Sequence, residues 1–363
     1  MTIDNRLWSN KAKSLSPYVP GEQPKHDNLV KLNTNENPFA PSPKAVAAMQ
    51  AVIGDDAKAL RLYPEPESDT LRAALAAYYE LDSDEVFVGN GSDEVLALVF
   101  ACFFTKSKPL LMPAISYSFY PVYADTFGVP VQSVPLTADF GIDVDAYHQP
   151  CDGVILANPN APTGRLLGID DIKKLAAMHP DAVVVIDEAY IDYADDVKAA
   201  SAISLIRQFD NIVVTQTFSK SRALAGLRVG MAFANPNLIA ALTAMKNSFN
   251  SYPLDRVAQA GATASVQDVA YFKEKRQAVI ALREALRADL QALGFEVVPS
   301  AANFVFAKLP NFDASVISDK LREQGVIVRH FKQDSIKDYL RISVGTKEQN
   351  ARLIEVLKQI LAK

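Results

Sequence analysis

Lys220 stands in the run Thr217-Phe218-Ser219-Lys220-Ser221-Arg222, with Arg228 a short way on. A lysine amine is the nucleophile suited to a carbonyl carbon, because the two condense to an imine. The attack needs a deprotonated fraction, which nearby cations or desolvation increase. Ser219 and Arg228 flank the lysine as candidate anion ligands. Asp187 closes the β-branched run Val183-Val184-Val185-Ile186. A carboxylate at the partly buried end of a strand needs a donor or a cation, and a protonated heteroaromatic nitrogen would suit it. Capping of the following element is the plainer use of the same residue. Ser92 and Asp93 follow Gly89-Asn90-Gly91 and precede an apolar run from Val95. A helix starting there presents free N–H groups to a phosphate, or simply carries an ordinary N-cap after a glycine turn. Asn158 and Asn160 lie in Ala157-Asn158-Pro159-Asn160-Ala161-Pro162-Thr163-Gly164, a rigid turn in which one X-Pro bond is a candidate for cis. Either amide can donate to a ring oxygen or only close the turn.

Short β-branched runs at 86–89, 109–113, 129–134, 154–157, 183–186 and 212–215 are each followed by a helical stretch. They predict a sheet covered by helices on both faces, with 228–234 as a further strand. All four polar segments fall at ends of these strands, the place where open α/β sheets bind ligands. A helical region over 254–293 reads as a connector between domains. Strands at 295–298, 304–309, 326–331 and 340–344, with helices at 314–324 and 347–362, predict a small α+β domain completed by N-terminal residues. The expected division is an N-terminal arm (1–30), a large domain (31–250, with 31–45 contributing to the small domain), and the connector plus small domain (251–363). Pro17, Pro20, Gly21 and Pro24 punctuate the arm, which would become ordered only against something else.

The 363 residues carry a net charge of -5, which argues against a broad nucleic-acid-binding face. Two cysteines, Cys102 and Cys151, make neither a disulfide scaffold nor a cysteine zinc site, and four scattered histidines show no metal-ligand spacing. The absence of an apolar leader segment and of a membrane span predicts a cytoplasmic protein. A phosphate cradle, a ring-oxygen donor, a carboxylate and a lysine with a nearby arginine occur in that order on successive elements. Together they are the groups needed to hold pyridoxal 5'-phosphate.

From Leu32-Asn33-Thr34-Asn35-Glu36-Asn37-Pro38 to Tyr339-Leu340-Arg341-Ile342-Ser343-Val344-Gly345 the chain resembles the fold-type I pyridoxal-phosphate aminotransferases of class II, and within them the histidinol-phosphate branch. Asp187-Glu188-Ala189-Tyr190 and Thr217-Phe218-Ser219-Lys220 with Gly226-Leu227-Arg228 are the most specific pieces. The resemblance implies a mostly parallel seven-stranded sheet between helices and a small α+β domain. It implies that Lys220 binds the cofactor aldehyde, that Asp187 pairs with the pyridine nitrogen, and that Tyr190 donates to the ring hydroxyl. Ser92, Asp93, Ser219 and Arg228 match the phosphate end, Thr217 is a further cofactor-binding candidate, and Tyr117 matches the aromatic that stacks on the ring. Tyr63 matches a tyrosine that reaches the neighbouring subunit's cofactor, which implies a homodimer with shared sites. Arg341 and Arg329 match substrate-anion arginines, while Tyr18, Asn35 and Tyr120 are candidate lining residues of the substrate pocket. Ala161 stands where relatives often carry the asparagine that meets the ring oxygen, so Asn158 or Asn160 must supply that donor, or Tyr190 acts alone.

The implied reaction is transfer of an amino group from L-histidinol phosphate to 2-oxoglutarate, giving imidazole acetol phosphate and L-glutamate in histidine biosynthesis. An aromatic amino-acid aminotransferase on the same scaffold is the nearest competitor, and a decarboxylase of an amino-acid phosphate a further one. A non-catalytic cofactor-binding regulator or structural protein would normally add a DNA-binding module, and no helix-turn-helix pattern is present. A dinucleotide-dependent dehydrogenase would want GxGxxG, whereas Gly89-Asn90-Gly91-Ser92-Asp93-Glu94 ends in Glu.

Overall fold

A computed structural model describes residues 6–17, 21–22 and 29–362. Its larger sheet has seven strands: β2 (Val86–Asn90), β3 (Leu110–Pro113), β4 (Val131–Val134), β5 (Gly153–Ala157), β6 (Val183–Asp187), β7 (Ile212–Thr217) and β8 (Val229–Ala234). The order is β2-β8-β7-β6-β5-β3-β4, parallel throughout except that β8 runs antiparallel to both of its neighbours. The central strands are buried on both faces, which explains why they read as unbroken apolar runs. Their residues alternate between two cores. Val184 and Ile186 of β6 pack on one face with Val154, Leu156 and Val214, while Val183 and Val185 pack on the other with Ile155 and Val213.

The smaller sheet is built from β1 (Val30–Leu32), β9 (Glu296–Val298), β10 (Phe304–Lys308), β11 (Val326–His330) and β12 (Leu340–Ser343), in the order β1-β11-β12-β10-β9. β1 lies parallel to β11, and this delivers the segment from Asn33 onward to the region between the two sheets. Arg329 of β11 and Arg341 of β12 are register partners across an antiparallel pair, so their side chains leave the same face. A third core, around Leu286, Leu290, Val305, Leu321, Val326 and Leu353, packs beneath this sheet.

Three details depart from the sequence reading. The region 254–293 is two helices, Arg256–Gln267 and Val269–Ala292, rather than one. They meet at Asp268, whose carboxylate accepts from Ser42 Oγ at 2.6 Å and pairs with Lys44 at 3.1 Å. Both Asn158–Pro159 and Ala161–Pro162 are cis, where the sequence offered one such bond as a candidate. The strand expected from 228 begins at Val229, because Arg228 takes a left-handed conformation with φ 55°. Among the described residues no helix is long and apolar enough to cross a membrane.

Candidate active site

Strands β5, β6 and β7 end at one edge of the large sheet, and their terminal residues, Ala157, Asp187 and Thr217, line a cavity of about 230 Å³. Asp187 reaches it as the last residue of β6, on the face shared by Val183 and Val185. Its carboxylate is buried and takes the Tyr120 hydroxyl at 2.8 Å on Oδ2 and the Thr215 hydroxyl at 3.2 Å on Oδ1. Burial nevertheless pushes the carboxyl up to about 6, although Tyr120, Thr215 and the Ala189 N–H all donate to it. A carboxylate held this way, with one open side toward a cavity, has its charged form favoured further by a cation placed there.

At the opposite end the helix Gly91–Val99 begins directly after β2. Its first turn carries Ser92 and Asp93, both facing the cavity. Gly230 of β8 lies so close beneath that a Cβ on it would sit 2.3 Å from the Gly91 carbonyl carbon and the Ser92 nitrogen. Gly91 itself has φ +77°, and a side chain there would collide with the Arg228 guanidinium at 2.5 Å. The two glycines therefore let a helix N-terminus and an arginine converge on one small volume. Arg228 Nη2 donates to Asp93 Oδ2 at 2.9 Å, and the Tyr117 hydroxyl donates to Oδ1 at 3.2 Å. Thr217 and Ser219 complete this end, their hydroxyls 3.0 Å apart.

Lys220 lies between these two poles. Its Nζ donates to the Thr34 carbonyl at 3.0 Å and stands 5.8 Å from the centre of the Tyr190 ring. The Tyr190 hydroxyl accepts from Asn35 Nδ2 at 3.0 Å. Asn35 in turn is buried, with φ 55°, and is held by Ser343, whose hydroxyl accepts from the Asn35 N–H at 2.8 Å and donates to Oδ1 at 3.1 Å. Lys220, Tyr190, Thr34 and Tyr117 also line a second cavity of about 230 Å³, which opens toward the small sheet. Arg329 and Arg341 face into it, with Phe331 between them; its ring centre is 5.6 Å from the Arg329 guanidinium and 5.7 Å from that of Arg341. Arg341 Nη2 also donates to the Asn33 carbonyl at 2.9 Å.

Several expected residues are found elsewhere. Asn158 and Asn160 line neither cavity. The Asn158 amide is tied to Leu167, accepting from its N–H at 2.8 Å and donating to its carbonyl at 3.2 Å. Asn160 donates to the Ile115 carbonyl and the Thr163 hydroxyl and accepts from Ser116. Both amides are taken up by these structural bonds, and Ala161 is the residue that meets the cavity. Tyr120 does not line the substrate cavity; it is fully buried behind Asp187. Tyr63 is 75% exposed, stacked on Tyr252 with ring centres 4.7 Å apart, and outside both cavities. Tyr18 lies outside the described residues. The sequence reading missed Thr34 and Phe331 as lining residues. Thr34 sits inside the quoted segment Asn33-Thr34-Asn35 and acts through its backbone carbonyl, which no residue type announces.

The donor set fits pyridoxal phosphate. An amine stands between a helix N-terminus with an arginine at one end and a buried carboxylate at the other, and a phenol hydroxyl lies beside the amine.

The matched family model, "Aminotransferase class I and II", covers residues 27–357, and the chain belongs to that family of pyridoxal-phosphate enzymes. It is 64% identical to "Histidinol-phosphate aminotransferase 2" of Psychrobacter arcticus, over 99% of this chain and 97% of that one. It is 56% identical to the histidinol-phosphate aminotransferase of Acinetobacter baumannii strain SDF, over 99% and 98% of the two chains. The fold matches the crystal structure of histidinol-phosphate aminotransferase from Sinorhizobium meliloti in complex with pyridoxal-5'-phosphate, with a TM-score of 0.88, 24% identity and 99% of each chain covered.

Proposed function

We propose that this aminotransferase moves the amino group of L-histidinol phosphate to 2-oxoglutarate, yielding imidazole acetol phosphate and L-glutamate, a step of histidine biosynthesis. The observation that carries the substrate assignment is the pair Arg329 and Arg341, facing one cavity beside Lys220 and Tyr190. Both substrates bear anions that such a pair can hold: a phosphate in one case, two carboxylates in the other. Relatives 56–64% identical over nearly the whole chain are named histidinol-phosphate aminotransferases, which supports the same reading.

When bound, pyridoxal phosphate supplies an aldehyde that condenses with amines and a protonated ring that accepts electrons from the bond being broken. Lys220 is the amine that would hold the aldehyde, and the substrate's amine would take its place there. Freed, its Nζ takes the proton from the substrate Cα and redelivers it, acting as base and then acid. Asp187, which lines the cavity, would meet the pyridine nitrogen and keep a proton on it. Tyr190, oriented by Asn35, donates to the ring hydroxyl oxygen without help from Asn158 or Asn160. Tyr117 covers the ring. The N–H groups of the turn at Ser92 and Asp93, with Thr217, Ser219 and Arg228, hold the phosphate. Arg341 takes the α-carboxylate of glutamate, and Arg329 takes the distal carboxylate or the phosphate of histidinol phosphate.

Assembly and division of the chain follow from the same reading. Tyr63 and Tyr252 stand with Ile53, Leu60, Leu62 and Phe249 among the exposed large apolar residues of the protein. We assign this surface to a homodimer interface at which Tyr63 reaches the phosphate in the other subunit. An arm (1–30), a cofactor-binding domain (31–250) and a connector with the small domain (251–363) are the proposed units, and the pairing of β1 with β11 supports the contribution of 31–45 to the small one. Cys102 and Cys151, both unbridged, suit the reducing cytoplasm. Steady-state rates with histidinol phosphate and with phenylalanine, each against 2-oxoglutarate, test the substrate assignment. A kcat/KM at least about a hundredfold higher for histidinol phosphate is expected, the worth of one charge-assisted contact. A preference for phenylalanine would make this the aromatic amino-acid enzyme instead.

A further inference from the structure

We propose that Tyr120 is a positioning residue: one buried phenol fixes the Asp187 carboxylate with its hydroxyl and the Tyr117 ring with its edge. The acid that meets the cofactor's ring nitrogen and the aromatic face that covers the ring are then set by a single side chain. The inference rests on the cofactor roles given above to Asp187 and Tyr117.

Tyr120 is fully buried and touches neither cavity, so it acts only through its neighbours. Its hydroxyl donates to Asp187 Oδ2 at 2.8 Å, the shorter of the two side-chain hydrogen bonds the carboxylate receives. Its ring meets that of Tyr117 edge to face, with centres 5.4 Å apart and planes at 88°. Tyr117 continues to Asp93, and Asp93 to Arg228, so a connected run joins the carboxylate end of the site to the anion end. The backbone fixes where this run starts. Tyr120 is the first residue of the helix Tyr120–Phe127, followed by Pro121, and Phe100 tilts against it at 6.4 Å.

The direction of the effect follows from the donor. Burial and the neighbouring Asp187 push the Tyr120 phenol well above its ordinary value, so it stays protonated and donates to the carboxylate. A donor favours the charged form of the carboxylate it serves. The other groups around Asp187 are Thr215 from β7, Asp93 from the helix Gly91–Val99, and Tyr117 and Tyr123 from the segment carrying Tyr120. Asp93 opposes ionisation of Asp187, which leaves Tyr120 and Thr215 as the side chains that support it.

The test uses the full-length protein loaded with pyridoxal phosphate labelled with ¹⁵N at the pyridine nitrogen. Tyr120→Phe keeps the ring and deletes only the hydroxyl; Thr215→Val removes the longer bond. In Tyr120→Phe the nitrogen is expected to lose its proton about one pH unit lower, and the cofactor to dissociate about tenfold more readily, with the thermal transition near that of the parent. Thr215→Val should shift the nitrogen in the same direction by less. A nitrogen titration unchanged in Tyr120→Phe, or moved more by Thr215→Val, overturns the proposal. Asp187→Asn separates the two levels. If it leaves the nitrogen unmoved, the assignment of Asp187 itself is wrong; if it moves the nitrogen and Tyr120→Phe does not, only the role of Tyr120 falls.

Discussion

Asp187 and Glu188 are consecutive carboxylates at the end of β6, both buried, and burial pushes both upward, to about 6 and about 7. The alternation of the strand sends them to opposite faces. Asp187 joins the face of Tyr120 and looks into the cavity that Lys220 lines. Glu188 joins the face of Val184 and Ile186. There it is enclosed by the Ser201 hydroxyl at 2.7 Å, the Ala202 N–H at 2.6 Å and Gln216 Nε2 at 2.9 Å. Gln216 is itself held by the Tyr79 hydroxyl at 2.6 Å. Burial and a raised proton affinity therefore do not distinguish the acid of a reaction from the acid of a scaffold. An open side toward a cavity with a nucleophile in it does.

Paired amide substitutions put the comparison at risk. Asp187→Asn is expected to lower kcat about 10³-fold with the fold retained, since it removes the fixed charge at the reacting ring. Glu188→Gln should leave kcat within about threefold and instead lower unfolding stability by about 1–3 kcal/mol, as one buried network loses an acceptor. Turnover assays and chemical denaturation on both variants decide it, and the reverse pattern would exchange the two roles. Arg341→Ala sharpens the picture at the substrate end. The KM for glutamate should rise about thirtyfold with cofactor affinity unchanged, and an unchanged KM removes Arg341 from its role. Gly230→Ala should weaken cofactor binding about tenfold, because the new methyl drives into the backbone of Gly91 and Ser92. Wild-type affinity in that variant, measured by cofactor titration, would show that this turn does not hold the phosphate.

The smallest effect concerns pH. Both carboxyls bind protons more tightly folded than unfolded, so each contributes stability that is complete below its ordinary value and is lost as pH rises to its folded one. For Asp187 that window runs from 3.8 to about 6, and for Glu188 from 4.5 to about 7. Denaturation of the cofactor-free protein should show stability falling across both windows. Glu188→Gln should flatten only the upper part, and adding pyridoxal phosphate should shrink only the contribution of Asp187, whose ionised form then gains a cation. A cofactor effect on the Glu188 window would mean that the two faces of β6 are coupled.

Much of this was legible in the sequence, for local reasons. Buried parallel strands are continuous apolar runs, so β5, β6 and β7 stand out, and the polar residue that ends each run is thereby marked as lying at the sheet edge. Asp187 was recognisable on that ground, and Lys220 by its place three residues past the end of β7 in a run that resembles the family's. What escaped depends on contacts across long stretches of chain. Nothing near Tyr120 announces a partner 67 residues away, and its neighbour Tyr117 made it look like a second lining aromatic. Asn158 and Asn160 carry the right amide, but its direction is decided by Leu167, Ile115 and Ser116. The break at Asp268 is fixed by Ser42 and Lys44 from the far end of the chain, and helix propensity alone reads through it.

Amino-group transfer by this protein depends first on which amine holds the cofactor. Borohydride reduction of the loaded protein, proteolysis and peptide mapping answer this directly. The phosphopyridoxyl group is predicted on Lys220, in the peptide Gln208–Arg222 left by cleavage at arginine, where Lys220 is the only lysine. Label on any other lysine, or no label at all, would contradict the site described here.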